Sequence, residues 1–214
     1  LNHLQDKIAI TGTGRCRTTW LMRLLTAYDP KLTGFKSSTD TVLVQNQAGM
    51  ERKVHAKSDR WDFMSIPKVW KDPGLTQSLP GLVAAGHVPS MLIIPVRPIM
   101  DAARSRLEVN RPWFPTHPED LSLADWPEWV NVENQARVLE AELGRLVACA
   151  TLNQIPLVLI PWEVMESPSE LWDIFRLEVA MFGNMTIAEH LGMEQTDWRR
   201  FVKAHKATWE VEVK

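Results

Sequence analysis

Four short apolar runs stand out along the chain: residues 7–11 (KIAIT), Val69–Lys71 within Pro67-Lys-Val-Trp-Lys-Asp-Pro73, Met91–Val96 (MLIIPV) and residues 157–160 (LVLI). The first, third and fourth do not alternate polar and apolar positions. That is the pattern of strands covered on both faces, as in a parallel sheet between helical layers. A helical pattern follows each run. Thr18–Tyr28 places Leu21, Leu24, Leu25 and Tyr28 on one stripe, and Asp29-Pro30 ends it. Residues 75–85 carry a weaker pattern, interrupted by Pro80 and Gly81. Residues 98–109 open with proline in the first turn, where its missing N–H costs nothing. Residues 131–153 form the longest pattern, with Val132, Ala136, Leu139, Leu143, Leu146 and Ala150 at helical spacing. Ser167-Pro-Ser-Glu170 and Thr186-Ile-Ala-Glu189 have the form of capping boxes at helix starts. Residues 31–66 are mixed and polar, with one helix expected near 46–57. Residues 111–130 carry four prolines and three tryptophans without a clean period, so no element is assigned there. The alternation of strand and helix predicts a three-layer α/β fold. Its central sheet is mainly parallel, has at least four strands, and is joined by right-handed crossovers.

Composition narrows the function classes. A chain of 214 residues with 45% apolar and 23% charged residues fits one domain spanning 1–214. A net charge of −2 gives no sign of a long polyanion partner, which usually needs a basic face, so no nucleic-acid partner is expected. Cys16 and Cys149 are too few for a disulfide framework and are expected as reduced thiols. No apolar run approaches the roughly 18 residues of a membrane span. The expectation is a soluble, cytoplasmic protein with no membrane partner. The first residue is Leu1 rather than Met, which leaves room for a trimmed leader.

The first strand runs directly into Gly12-Thr-Gly-Arg-Cys-Arg-Thr-Thr-Trp20. Glycines at a strand end let the backbone turn sharply and approach a ligand. The helix that follows aims its free N–H groups and positive dipole end at the turn, which is ready-made geometry for an anion. Arg15 adds a permanent charge, and Thr18 and Thr19 offer hydroxyls in the first helical turn. The alternative is a tight strand–helix turn with no ligand; the clustering of Arg15, Arg17, Thr18 and Thr19 counts against it. The loop is not G-x-x-x-x-G-K-[ST], because Arg17 and Thr18 stand where the second glycine and the lysine would be. It is not G-x-G-x-x-G either, which fails at the same Arg17.

Residues 12–21 (GTGRCRTTWL) resemble the 5′-phosphosulfate loop of the sulfotransferases. That family has a P-loop-type α/β fold and uses 3′-phosphoadenosine-5′-phosphosulfate (PAPS). Arg15, Cys16, Thr18, Thr19 and Trp20 follow the family's order. Arg17 occupies a position where the family usually has glycine; its side chain either crowds the loop or adds a phosphate contact. Ile94-Pro-Val-Arg97, followed by Ser105 eight residues after the arginine, resembles the family's 3′-phosphate motif. Arginine offers a fixed fork to phosphate oxygens. The alternative is a helix-start arginine paired with a surface carboxylate and a solvated serine. Trp70-Lys-Asp-Pro73 resembles a third element, in which a lysine and then a proline end the strand after the loop helix. The three segments occur in family order, and the pattern most resembles small bacterial or phage-type members. The family's C-terminal Arg-Lys-Gly element has no clear match. Arg199, Arg200, Lys203 and Lys206 are basic there, but basic residues late in a helix also suit its dipole.

The resemblance implies that Gly12, Thr13, Gly14, Arg15, Cys16, Arg17, Thr18, Thr19, Arg97 and Ser105 hold PAPS as co-substrate, with no metal. It implies that Arg15 and Lys71 stabilise charge on the leaving phosphate, and that the acceptor is a small molecule or glycan with a hydroxyl or amine. A hydroxyl acceptor needs a general base. His55, Asp40, Asp59 and Asp72 remain open for that role, Asp72 also being placed to pair with Lys71. The segment 113–129 is either a lid over the acceptor or a connection pinned by Trp113, Phe114, Trp126 and Trp129. Two other readings stay open. A small-molecule kinase of the P-loop class would want a lysine at Thr18 and a metal-binding carboxylate after a strand. A degenerate nucleotide-binding or partner-docking protein would bind without turnover.

Overall fold

A computed structural model describes residues 4–13, 15–37, 50, 56–57, 60–61, 66–108, 131–179 and 185–212. In chain order the elements are β1 (Ile8–Ile10), α1 (Thr18–Tyr28), α2 (Pro30–Thr33), β2 (Ala56–Lys57), β3 (Arg60–Trp61), β4 (Val69–Lys71), α3 (Leu75–Ala84) and β5 (Met91–Val96). There follow α4 (Ile99–Glu108), α5 (Val132–Leu152), β6 (Leu157–Pro161), α6 (Pro168–Phe175), β7 (Glu178–Val179), β8 (Met185–Thr186), α7 (Ile187–Leu191) and α8 (Trp198–Glu212). Among the described residues, four strands form a wholly parallel sheet in the order β4-β1-β5-β6. β2 pairs with β3, and β7 with β8, as short antiparallel ribbons. Residues 56–57 are therefore strand, which excludes them from the helix expected near 46–57. The rest of that helix apart from Met50, the segment 111–130, Gly14, Asp40, His55 and Asp59 lie outside the described residues.

Side-chain parity builds the three layers. Ile8, Ile10, Val69, Met91, Ile93 and Ile160 point into one cluster with Leu21, Leu24 and Leu25 of α1, Phe175 of α6, Leu191 of α7 and Phe201 of α8. Ala9, Trp70, Leu92 and Ile94 point the other way, onto Leu75, Leu79 and Leu82 of α3 and Leu146 and Ala150 of α5. Successive strand residues face opposite sides, so an unbroken apolar run fills both clusters at once. β6 departs from the expectation of two covered faces. It is the last strand in the order, and its Leu159 is 48% exposed.

Local chemistry fixes the helix ends. Asp29 closes α1 and caps α2 by accepting from the Lys31 N–H at 2.9 Å, with Pro30 in the first turn. α3 continues through Pro80 and Gly81 instead of breaking. The Pro98 carbonyl accepts from Asp101 and Ala102 as α4 begins. Thr186 and Glu189 form both halves of a capping box at α7. Ser167 accepts from the Glu170 N–H at the start of α6. Cys16 and Cys149 are free thiols. No helix among the described residues is long and apolar enough to cross a membrane.

Candidate functional site

In a parallel sheet the carboxyl ends of all strands meet at one edge. The chain leaves β1 for β4 on one side and leaves β5 for β6 on the other. Such a reversal opens a crevice beyond the ends of β1 and β5, the usual ligand position of open α/β sheets. The turn after β1 lies there. Gly12 has φ 147°, and a β-carbon on it would stand 3.0 Å from the Cys16 Sγ, so the position needs glycine. Arg15 and Arg17 both adopt left-handed backbone, at φ 58° and 65°. Each costs of the order of 1–2 kcal/mol in a residue with a side chain, so the turn needs outside anchors.

The anchors come from distant parts of the chain. The Thr13 carbonyl accepts from Arg106 Nε at 3.1 Å and Nη2 at 2.5 Å. Arg106 is buried in α4, and that burial pushes its guanidinium down to about 10; the Cys16 sulfur opposes the shift and the Arg15 charge adds to it. Arg15 Nε donates to the Ser105 hydroxyl at 3.1 Å, one residue earlier on the same helix. Arg97 Nη1 reaches the Arg15 carbonyl at 3.5 Å, and its guanidinium carbon lies 4.5 Å from the Trp162 ring centre. Thr11 Oγ1 donates to the Asp72 carbonyl at 2.8 Å, tying the ends of β1 and β4.

Register explains where Lys71 goes. It pairs with Ile10 and shares parity with Val69, whose side chain belongs to the α1 face. Its side chain therefore runs beneath the first turn of α1, where Nζ donates to Thr19 Oγ1 at 2.7 Å. The residue is fully buried. Asp72 is also buried, and its carboxylate accepts from the Gly74 N–H at 2.8 Å, closing the turn after β4. Arg17 heads away from the loop. Its Nη1 pairs with Glu166 Oε1 at 3.1 Å, and its guanidinium carbon sits 3.6 Å from the Trp162 ring centre and 4.6 Å from that of Trp209.

Gly12, Thr13, Arg15, Cys16, Thr18 and Thr19 thus share one turn and the first turn of α1, and Lys71, Arg97 and Ser105 are brought to it. Four residues of this site escape sequence reasoning: Arg106, Trp162, Glu166 and Trp209. A signal existed for the first. Ala102 and Ala103 are buried on α4, and Arg106 follows at helical spacing, so it belongs to the same inward face. The result is a helix start ringed by cations, with an exposed Arg15 and a half-buried Arg97 at its open side. This arrangement suits a phosphate or sulfate ester.

No family model, curated protein or solved structure matches the chain. Among the described residues, no group of three or more His, Cys, Asp and Glu side chains is placed to hold a metal ion.

Proposed function

We propose that this protein is a sulfotransferase that moves a sulfuryl group from PAPS to a hydroxyl or amine acceptor. One observation carries the reading. Lys71, Arg97 and Ser105, from two distant parts of the chain, converge with Arg15 on one strand–helix turn at the carboxyl ends of β1 and β5. In this reading the loop N–H groups and the hydroxyls of Thr18 and Thr19 hold the 5′-phosphate. Arg97 and Ser105 hold the 3′-phosphate. Transfer then needs alignment of the acceptor with the S–O bond, and a cation for the charge that develops on the leaving phosphate. In this reading Arg15 and Lys71 supply that charge. Thr18 stands where a P-loop kinase has its lysine, which is why a sulfonate donor is preferred over Mg·ATP.

Adenosine 3′,5′-bisphosphate is expected to bind, and to bind equally with and without a chelator. Titration calorimetry checks this. Tight binding of Mg·ATP with no response to the bisphosphate would favour the kinase reading instead.

Arg97→Ala is expected to abolish preference for the 3′-phosphate. Losing a charge-assisted contact costs roughly 1.5–3 kcal/mol, so bisphosphate affinity falls about tenfold or more. Affinity for AMP stays nearly constant. Equal losses for both ligands would assign Arg97 to holding the loop through the Arg15 carbonyl.

A further inference from the structure

Arg17 is the residue of the loop that the proposed function leaves without a task. Its φ of 65° at the start of α1 is one that glycine adopts freely, and it makes no side-chain cap there. A plain turn would be better served by glycine. Yet its guanidinium is well packed: the side chain is 11% exposed, against 53% for its partner Glu166. A planar cation can donate in its own plane to a carboxylate while its flat face lies on an indole, which a lysine cannot reproduce. Arg17 does both, with Glu166 in its reach and Trp162 and Trp209 within 3.6 and 4.6 Å.

The groups it grips are themselves held. Trp209 lies edge-on to Trp20 of α1 at 5.7 Å and stacks on His205 at 6.2 Å. His205 Nε2 donates to the Met165 carbonyl at 2.9 Å, beside Glu166. Trp162 follows β6, and its N–H bonds the Val96 carbonyl at 2.8 Å, immediately before Arg97. The Trp162 ring therefore carries two guanidinium groups, Arg17 at 3.6 Å and Arg97 at 4.5 Å.

We propose that Arg17 is a positioning residue: from outside the anion cradle it clamps the left-handed loop against Trp162, Trp209 and Glu166, and through the shared Trp162 ring it sets the orientation of Arg97. The consequence for ligand affinity rests on the nucleotide reading given above. The clamp itself does not, because its contacts run only between the protein's own side chains.

The test uses hydrogen exchange of the free full-length protein, together with calorimetry using adenosine 3′,5′-bisphosphate. Arg17→Gly relieves the backbone and removes the clamp in one step. It is expected to speed exchange about tenfold in peptides covering 12–20 and 96–105, the scale of a desolvated cation–π contact, and to weaken bisphosphate binding by a similar factor. Peptides from α3 keep wild-type rates. Trp162→Leu shifts the same two peptides, and Arg17→Lys falls between wild type and glycine. The Arg17→Gly/Trp162→Leu double variant is no worse than the poorer single one, because both remove one unit. If Arg17→Gly matches or improves on wild type in exchange and affinity, Arg17 is a tolerated occupant of a glycine position and the clamp is refuted. Exchange that rises everywhere alike refutes it too, by assigning Arg17 to general stability. Should wild type not bind the bisphosphate, the nucleotide reading fails while the exchange result still decides the clamp.

Discussion

Under the sulfotransferase reading proposed above, Lys71→Met is expected to lower sulfuryl transfer by roughly 10²–10³-fold, the scale of losing one preorganised donor. The bridging oxygen of a phosphosulfate gains negative charge only as the S–O bond breaks. A cation aimed there stabilises the transition state more than the bound ground state. Affinity for adenosine 3′,5′-bisphosphate should accordingly fall less than turnover. The thermal midpoint should hold or rise, because Lys71 is fully buried and methionine keeps its volume without the desolvated charge. This combination of lost rate with intact stability separates a catalytic lysine from a structural one. The assay begins with a panel of phenols, sugars and alcohols and labelled PAPS to find an acceptor. A mutant that then turns over normally would make Lys71 a packing residue under Thr19 and leave the charge work to Arg15.

Arg106→Met should act in the opposite sense, on stability first. It removes both donors to the Thr13 carbonyl and leaves a buried acceptor without them. An orphaned group of this kind costs about 1–3 kcal/mol, equivalent to a fall of about 3–10 °C in Tm at this chain length. Burial of the guanidinium, visible in its depressed pKa, offsets part of the loss when the charge is removed. Both hydrogen bonds converge on one carbonyl oxygen of a buried residue, so the loss is expected to win. Bisphosphate affinity should drop as the Gly12–Arg17 backbone relaxes. Scanning calorimetry and titration together check the claim. An unchanged midpoint with unchanged affinity would mean that the Thr13 carbonyl finds another donor.

Much of the scaffold is legible in the chain because burial on two faces leaves a plain mark. KIAIT and MLIIPV read as central strands, and the observed β1 and β5 fall inside them. α1 occupies the predicted Thr18–Tyr28, since its stripe, its glycine-bearing approach and its Asp-Pro stop all agree. β6 misled for a physical reason. An apolar run does not say whether a strand is central or at an edge, and Leu159 is exposed at the edge. The weaker pattern at residues 75–85 is helix α3 as expected, packing of Leu75, Leu79 and Leu82 on the sheet carrying it through the hydrogen bond missing at Pro80. At the site, Lys71 was readable because a strand end fixes its place. Arg17 was readable as an oddity, but its destination was not. Trp162, Glu166 and Trp209 are separated from it by most of the chain, and no local pattern reports which distant ring a guanidinium will find.

The spacing of the loop's anchors has a consequence for how the molecule assembles. Lys71 and Thr19 are 52 positions apart, Thr11 and Asp72 61, Arg97 and Arg15 82, Arg106 and Thr13 93, and Arg17 and Glu166 149. Each tie closes a long span of chain, and the entropy of closure is met before the contact rewards it. The turn after β1 precedes in the chain every residue that ties it down, the last of them, Trp162, Glu166 and Trp209, lying beyond β6. A half-folded chain therefore has the glycines and the arginines without the ties that hold the turn. Any nucleotide that fits this turn recognises the completed sheet and draws the folding equilibrium toward it.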